Sequence, residues 1–547
     1  MQLYLVGGSN MNITSYVPGG FEGDVVQVEI DLRRSIPGME IVGLPDGAVK
    51  EARERVRVAI KNSGFTFPKE RILVNMAPAG IKKEGASFDL SIALAVLLDS
   101  ATLSGYGGYL TLVHGASHAT DQTNCESVMV LGELQLSGAV RPVKGVLSAV
   151  ASGLEHGIRH FIVPSENARE AAALEKGMVF GVKTLEEAAE TLVRLQLGSA
   201  HPTHTYSHTY PHENGLKTLF PYQNLDYMDM RGHRLVKRAL EIGAAGRHHI
   251  LLFGPPGSGK TMAATRIGSI LPPLTQQESI EVTKIYSLAG QLPENRGLIL
   301  YPPLRNPHHS ASGEGIIGGG NPIVPGEVSL AHCGVLFLDE APEFRKTILQ
   351  GLREPVERGR VDIARAGSNY WFPASFQLVL AANPCPCGNL GRAESVCVCS
   401  IAEIRRHWRK LGGALLDRID IRVPVKPVPA EAMLEDQPET SSAIAERVRR
   451  AISIQRVRYK GKAYKRNGLI PPGDVPRYCS LTDEARGMFT KAVSKLSLSS
   501  RAAHSILTIA RTIADLEGKS SIGTFHVLEA VQHRRSGDGD YFWEDEE

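Results

Sequence analysis

Residues 249–261, HILLFGPPGSGKT, constrain this chain more than any other stretch. An apolar run reads as a buried strand and ends in Gly254-Pro255-Pro256-Gly257-Ser258-Gly259-Lys260-Thr261, and a helical pattern follows. The octet matches G-x-x-x-x-G-K-[ST], whose glycines let backbone N–H groups curl round phosphate oxygens. All eight residues are therefore expected to bind nucleotide, with Lys260 on the β- and γ-phosphates and Thr261 on Mg²⁺.

Two further strands end in chemistry that suits the same site. GVLFLDE (334–340) has four apolar residues in a row, as a strand buried on both faces does, and ends in Asp339 and Glu340. Asp339 is expected to hold Mg²⁺ and Glu340 to polarise the attacking water. SFQLVLAANP (375–384) ends in Asn383, an amide placed to orient that water; the competing reading is a turn-forming Asn before Pro384. Together the three segments predict an α/β domain that hydrolyses a nucleotide with Mg²⁺.

The remaining organisation follows from composition. A chain of 547 residues has room for about three domains. Lys and Arg total 61 against 58 Asp and Glu, so a basic surface for nucleic acid can only be local. The longest apolar run, Leu90–Leu98, falls short of the ~20 residues that a membrane span needs and reads as a buried helix. The start shows no signal-peptide pattern, so a cytoplasmic protein with reduced thiols and no membrane partner is expected. HPTHTYSHTYPHENG (201–215) has no hydrophobic period and reads as a linker, its His201, His204, His208 and His212 as solvated side chains. The expected divisions are an N-terminal α/β domain over 1–197 with a surface loop at 100–127, a linker over 198–220, an ATPase core over 221–429, helices over 430–535 and a frayed acidic tail over 536–547.

Cys385, Cys387, Cys397 and Cys399 form C-x-C-x₉-C-x-C directly after Asn383. Four cysteines so close in a reducing compartment suggest a structural Zn²⁺ site, although C-x-C is tighter than the usual C-x₂₋₄-C; the alternative is a group of reduced thiols.

RNPHHSASGEGIIGGGNPIVPGEVSLAHCGVLFLDEAPEF, LREPVERGRVDIARAG, AANPCPCGNLG, GALLDRIDI and LSLSSRAAHSILTIARTIADLEG, in that order, resemble the YifB/ComM family of magnesium-chelatase-like AAA+ ATPases. The resemblance implies a P-loop AAA+ core of the helix-2-insert type, a helical lid and a homo-oligomeric ring, expected to be a hexamer. It places Arg418 at the arginine finger and Arg501 at the sensor 2 arginine of the lid. It implies a β-hairpin in VERGRVDIARAGSNYWFPASF and an insertion at Ile316–Glu327, with Arg358, Arg360 and Arg365 as candidate DNA contacts. His308 and His309 match the family's motif without an evident mechanism.

The N-terminal domain resembles the Lon protease fold. KKEGASFDLSIALAV places Ser87 at the nucleophile, while GELQLSGAVRPVKGVLSAV places Leu147 where the lysine base belongs, with Lys144 three residues earlier. A serine without its base is a poor nucleophile, so a non-catalytic scaffold is expected. The family points to a DNA helicase or translocase for branch migration in homologous recombination or natural transformation. One alternative is a subunit driving Mg²⁺ insertion into a porphyrin, disfavoured on the expectation that the chelatase motor lacks a Lon-like domain. The other is a protein remodeller, disfavoured because the pore-loop candidate, residues 315–327, has no aromatic residue.

Overall fold

The computed structural model describes residues 11–100, 127–202, 225–292, 297–365, 368–392, 395–428 and 438–535. Most of the expected loop, most of the expected linker and the acidic tail lie outside the described residues. Two compact units emerge: Met1–Tyr210 with Ser279–Ile299, and Pro211–Glu278 with Leu300–Glu547. The segment Ser279–Ile299, which the sequence reading places inside the ATPase core, thus belongs with the first unit.

The first unit is built on a seven-stranded mixed sheet, ordered Gly38–Val42, Arg71–Ala77, Glu22–Arg33, Asn12–Gly19, Ser127–Val130, His160–Pro164 and Met178–Val182. Period-2 burial along Arg71–Ala77 shows one face on the core and one towards solvent. The helix Asp89–Asp99 is buried from Asp89 to Leu97, as a helix that is apolar nearly all round requires. Burying Asp89 costs desolvation that Arg55 offsets with two hydrogen bonds, Nε at 2.9 Å and Nη2 at 3.0 Å. A second buried carboxylate, Glu170, accepts from the Leu147 N–H at 2.9 Å and from the Ser287 hydroxyl, and Gly145 N–H donates to the same Ser287 hydroxyl at 3.0 Å. That network anchors the Ser279–Ile299 segment within the unit.

The second unit holds a five-stranded parallel sheet ordered Leu304–Arg305, Val335–Leu338, Gln377–Ala382, Ile250–Phe253 and Ile421–Pro424. The Val335, Gln377 and Ile250 strands are buried along their whole length, because helices cover both faces of a parallel sheet. The Ile250 strand, first in sequence, lies between the fourth and the fifth, so the connections diverge beside it. Ligand clefts form at such switch points, beyond the carboxyl ends of the strands. The last third is helical: Ser441–Arg458, Asp483–Lys495, Ser500–Leu516 and Thr524–Arg535. It docks on the core through buried polar contacts as well as apolar ones. His248 Nε2 meets Thr512 Oγ1 at 2.8 Å, and Ser505 Oγ donates to Asp420 Oδ1 at 2.7 Å.

Candidate functional site at the strand ends

Three adjacent strands deliver their C-terminal residues to one place. The Ile250 strand pairs with the Gln377 strand, Phe253 opposite Ala382, and that strand pairs with Val335–Leu338 on its other side. The next residues are Gly254, Asn383 and Asp339, so the phosphate loop, the amide and the carboxylate converge because the register brings them together. Gly257 and Gly259 take φ of 78° and 87°, which side chains rarely adopt, and the helix Lys260–Thr265 begins at once.

Lys260 Nζ donates to the carbonyls of Gly254 at 2.7 Å and Pro255 at 2.8 Å, and to Asn383 Oδ1 at 3.2 Å. Burial lowers its pKa from the usual lysine value, while Asp339 and Glu340 pull it back up. Thr261 Oγ1 donates to Asp339 Oδ2 at 2.6 Å, which places two oxygen donors together as a hard divalent cation requires. The buried Ser258 hydroxyl has no partner among the described residues and lies within the phosphate loop. Glycine backbone, ammonium, hydroxyl and carboxylate therefore fit a nucleotide triphosphate with Mg²⁺.

Two site residues were not assigned a role from sequence. His309 Nδ1 stands 3.8 Å from Glu340 Oε2, and its ring packs edge-on to Phe344 at 6.4 Å. Glu357 binds Arg418 Nη2 and lies 3.9 Å from Arg501 Nη1, so one carboxylate gathers both arginines. The Arg418 hydrogen bond lowers the Glu357 pKa from the usual glutamate value. Arg418 also donates from Nη1 to Ala414 O at 2.6 Å. The expected arginine finger and sensor 2 arginine thus share one carboxylate, and Lys260, Thr261, Asp339 and Asn383 are linked among themselves.

The hairpin pairs Arg360–Arg365 with Ser368–Pro373, Val361 opposite Phe372, and residues 366 and 367 lie outside the described residues. The glycine-rich insertion forms a short antiparallel pair, Gly318 opposite Pro325. Arg365 joins the two insertions, donating to Gly320 O at 3.1 Å and Asn321 Oδ1 at 3.4 Å. Arg358 pairs with Glu354 at 2.7 Å and Arg360 with Asp362 at 3.0 Å, both on the surface.

Cys385, Cys387, Cys397 and Cys399 bring their four Sγ atoms within 4.8 Å of one another. In the first unit Leu147, at the position expected for a lysine base, is fully buried. Lys144 lies across Gly290 so closely that a Cβ there would collide with its side chain. No helix among the described residues is long and apolar enough to cross a membrane.

Comparison with known proteins gives this geometry a family. Residues 226–433 match the model described as magnesium chelatase, subunit ChlI, and 438–534 match its C-terminal model. Residues 28–167 match a model described as subunit ChlI of Mg-chelatase. The chain is 38% identical to the competence protein ComM of Haemophilus influenzae, over 94% of this chain and 95% of ComM. It is 35% identical to the uncharacterized protein YifB of Escherichia coli over 94% and 95%, and 37% identical to an uncharacterized protein of Mycobacterium tuberculosis over 95% and 97%. With an α/β ATPase domain, a helical C-terminal domain and relatives along nearly its whole length, the chain belongs to the magnesium-chelatase ChlI-like family that includes the ComM and YifB proteins.

Proposed function

We propose that this chain is an ATP-hydrolysing AAA+ motor that works as a ring of identical subunits and moves branched or single-stranded DNA, as in branch migration during recombination or transformation. The observation that carries the proposal is the convergence of Lys260, Thr261, Asp339 and Asn383 at three parallel strand ends, with Arg418 and Arg501 gathered on Glu357.

Thr261 and Asp339 would hold Mg²⁺, which when bound would supply positive charge to offset that of the phosphates. Lys260 exchanges its carbonyl partners for phosphate oxygens. Asn383 keeps Oδ1 on Lys260 and has its amide N–H free to aim a water at the γ-phosphorus. Glu340 polarises that water, with His309 positioning its carboxylate. Arg418 and Arg501 leave Glu357 and reach the phosphates of the next subunit's nucleotide, a contribution worth ~10³–10⁵ in rate for such fingers. A ring is what allows one subunit's arginines to serve another's nucleotide, and six subunits is the count that the family suggests.

The DNA part of the reading rests on the kinship with a competence protein and on the joined insertions. The exposed pairs at Arg358 and Arg360 are worth about 0–1 kcal/mol each, so DNA phosphates can displace them. The N-terminal Lon-like domain serves as a scaffold, since Leu147 cannot act as a base.

The test is ATP hydrolysis at fixed salt with no DNA, single-stranded DNA and a four-strand junction. Stimulation that weakens as salt rises is expected. A rate indifferent to all three overturns the DNA role. The chelatase names of the matched family models favour Mg²⁺ insertion into a porphyrin as the second reading, which a DNA-indifferent rate would bring forward.

A further inference from the structure

We infer that the four cysteines bind one Zn²⁺ ion and that this metal knuckle positions Asn383 against the phosphate loop. Tetrahedral thiolates about 2.3 Å from zinc stand about 3.8 Å from one another. Here Cys385 and Cys387 are 3.4 Å apart, Cys385 and Cys397 3.6 Å, and Cys387 and Cys397 3.7 Å, with Cys399 also inside the 4.8 Å cluster. A disulfide would bring two sulfurs to about 2 Å, closer than any of these three pairs. The backbone supports a metal site: Leu390 N–H donates to Cys385 Sγ at 3.5 Å, the outer contact that steadies a thiolate. Four protein ligands leave no open position, so the role is structural.

The knuckle's surroundings show what it steadies. Cys385 follows Asn383-Pro384 at the end of the Gln377 strand, and Cys399 precedes Ser400, which caps the helix Ile401–Arg409 through a reciprocal bond with Glu403. That helix returns to the same strand end: His407 Nε2 donates to Asn383 O at 3.1 Å and Trp408 Nε1 to Pro384 O at 3.0 Å. Gly388, at φ 76°, packs so tightly that a Cβ would stand 2.8 Å from Pro256 Cγ in the phosphate loop. Metal binding therefore closes a loop whose two ends and whose middle all bear on the atoms around Lys260 and Asn383. This extends the ATPase reading, in which Asn383 orients water.

The experiment is metal analysis of the full-length protein, purified without a polyhistidine tag or chelator, beside Cys387→Ser, Cys399→Ser and the control Cys333→Ser. Cys387 and Cys399 are the replacements of choice because Cys385 is fully buried and its loss threatens folding. One zinc per chain is expected in the wild type and in Cys333→Ser, falling well below one in the two knuckle variants. Cobalt exchanged into the wild type should give sulfur-to-metal charge-transfer bands. Absence of zinc and of those bands, or four cysteines found paired as disulfides, overturns the site. The positioning role is read separately: both knuckle variants should bind a fluorescent ATP analogue as the wild type does while kcat falls roughly tenfold. Unchanged kcat in zinc-free variants overturns that role. A wild type that holds zinc but hydrolyses no ATP would instead sink the motor reading and leave the metal site standing.

Discussion

Glu340 is held at φ 50° and ψ 44°, a left-handed conformation that costs a non-glycine residue about 1–2 kcal/mol. Its neighbours maintain it: Glu340 N–H donates to Asp339 Oδ1 at 2.9 Å, and Glu343 N–H donates to Glu340 O at 2.8 Å. The side chain is thereby turned from the strand direction towards His309. His309→Ala is expected to lower kcat roughly 10–100-fold while ATP affinity stays within about twofold, the split produced by a misplaced water-activating group. Glu340→Gln should show the same split more severely. A His309→Ala enzyme with unchanged kcat, or with lost affinity, would remove His309 from that role. Lys260, Thr261, Asp339 and Asn383 were legible in the sequence because each is tied to a local pattern: a glycine loop, or a polar residue ending an apolar run. His309 and Glu357 were not, because their partners Glu340 and Arg418 come from other elements and only the tertiary fold supplies them.

At the scale of elements, the start of the Ile250 strand carries a pH-sensitive junction. Leu378 N–H donates to His249 Nδ1 at 3.0 Å, which requires that nitrogen to be unprotonated, and His249 N–H donates to Asp420 Oδ2 at 3.3 Å. Burial pushes the His249 pKa down to about 4, against the opposing pull of Asp420. The folded value lies below the unfolded one, near 6.5, so the unfolded chain binds the extra proton in that window. Stability is therefore full above pH ~6.5 and falls as pH drops towards 4, by at most about 1.4 kcal/mol per pH unit. Melting temperatures across pH 4–7 should show this slope in the wild type and a shallower one in His249→Gln; equal slopes would assign the acid sensitivity elsewhere. The strands around this junction were readable from short apolar runs, and the hairpin was expected only from the family resemblance. The two-residue strands at Leu304–Arg305 and Gly318–Gly319 were not, since so short a stretch has no period and is ordered by its partners.

At the scale of the whole molecule, the two arginines on Glu357 make a subunit mixture informative. Arg418→Ala and Lys260→Ala chains should each be nearly inactive alone. Mixed, they should regain part of the hydrolysis, because an intact Arg418 then faces an intact phosphate loop in the next subunit. No recovery on mixing, with assembly verified by sedimentation, would place Arg418 within its own subunit. From sequence, a division into N-terminal, ATPase and helical regions was expected; the structure divides into two units, and the membership of Ser279–Ile299 was not visible in the sequence. Its apolar and polar pattern is that of any helix, and tertiary contacts such as the buried Glu170–Ser287 bond reveal where it belongs.

That bond sets a rule for dissecting the protein. Cutting at the linker looks natural, yet it would strip from the first unit a segment encoded beyond the phosphate loop, leaving Glu170 to bury a carboxylate that has lost one of its donors. The gene therefore has no single boundary at which the N-terminal unit ends. A fragment meant to represent that unit must carry residues 279–299 grafted back onto it.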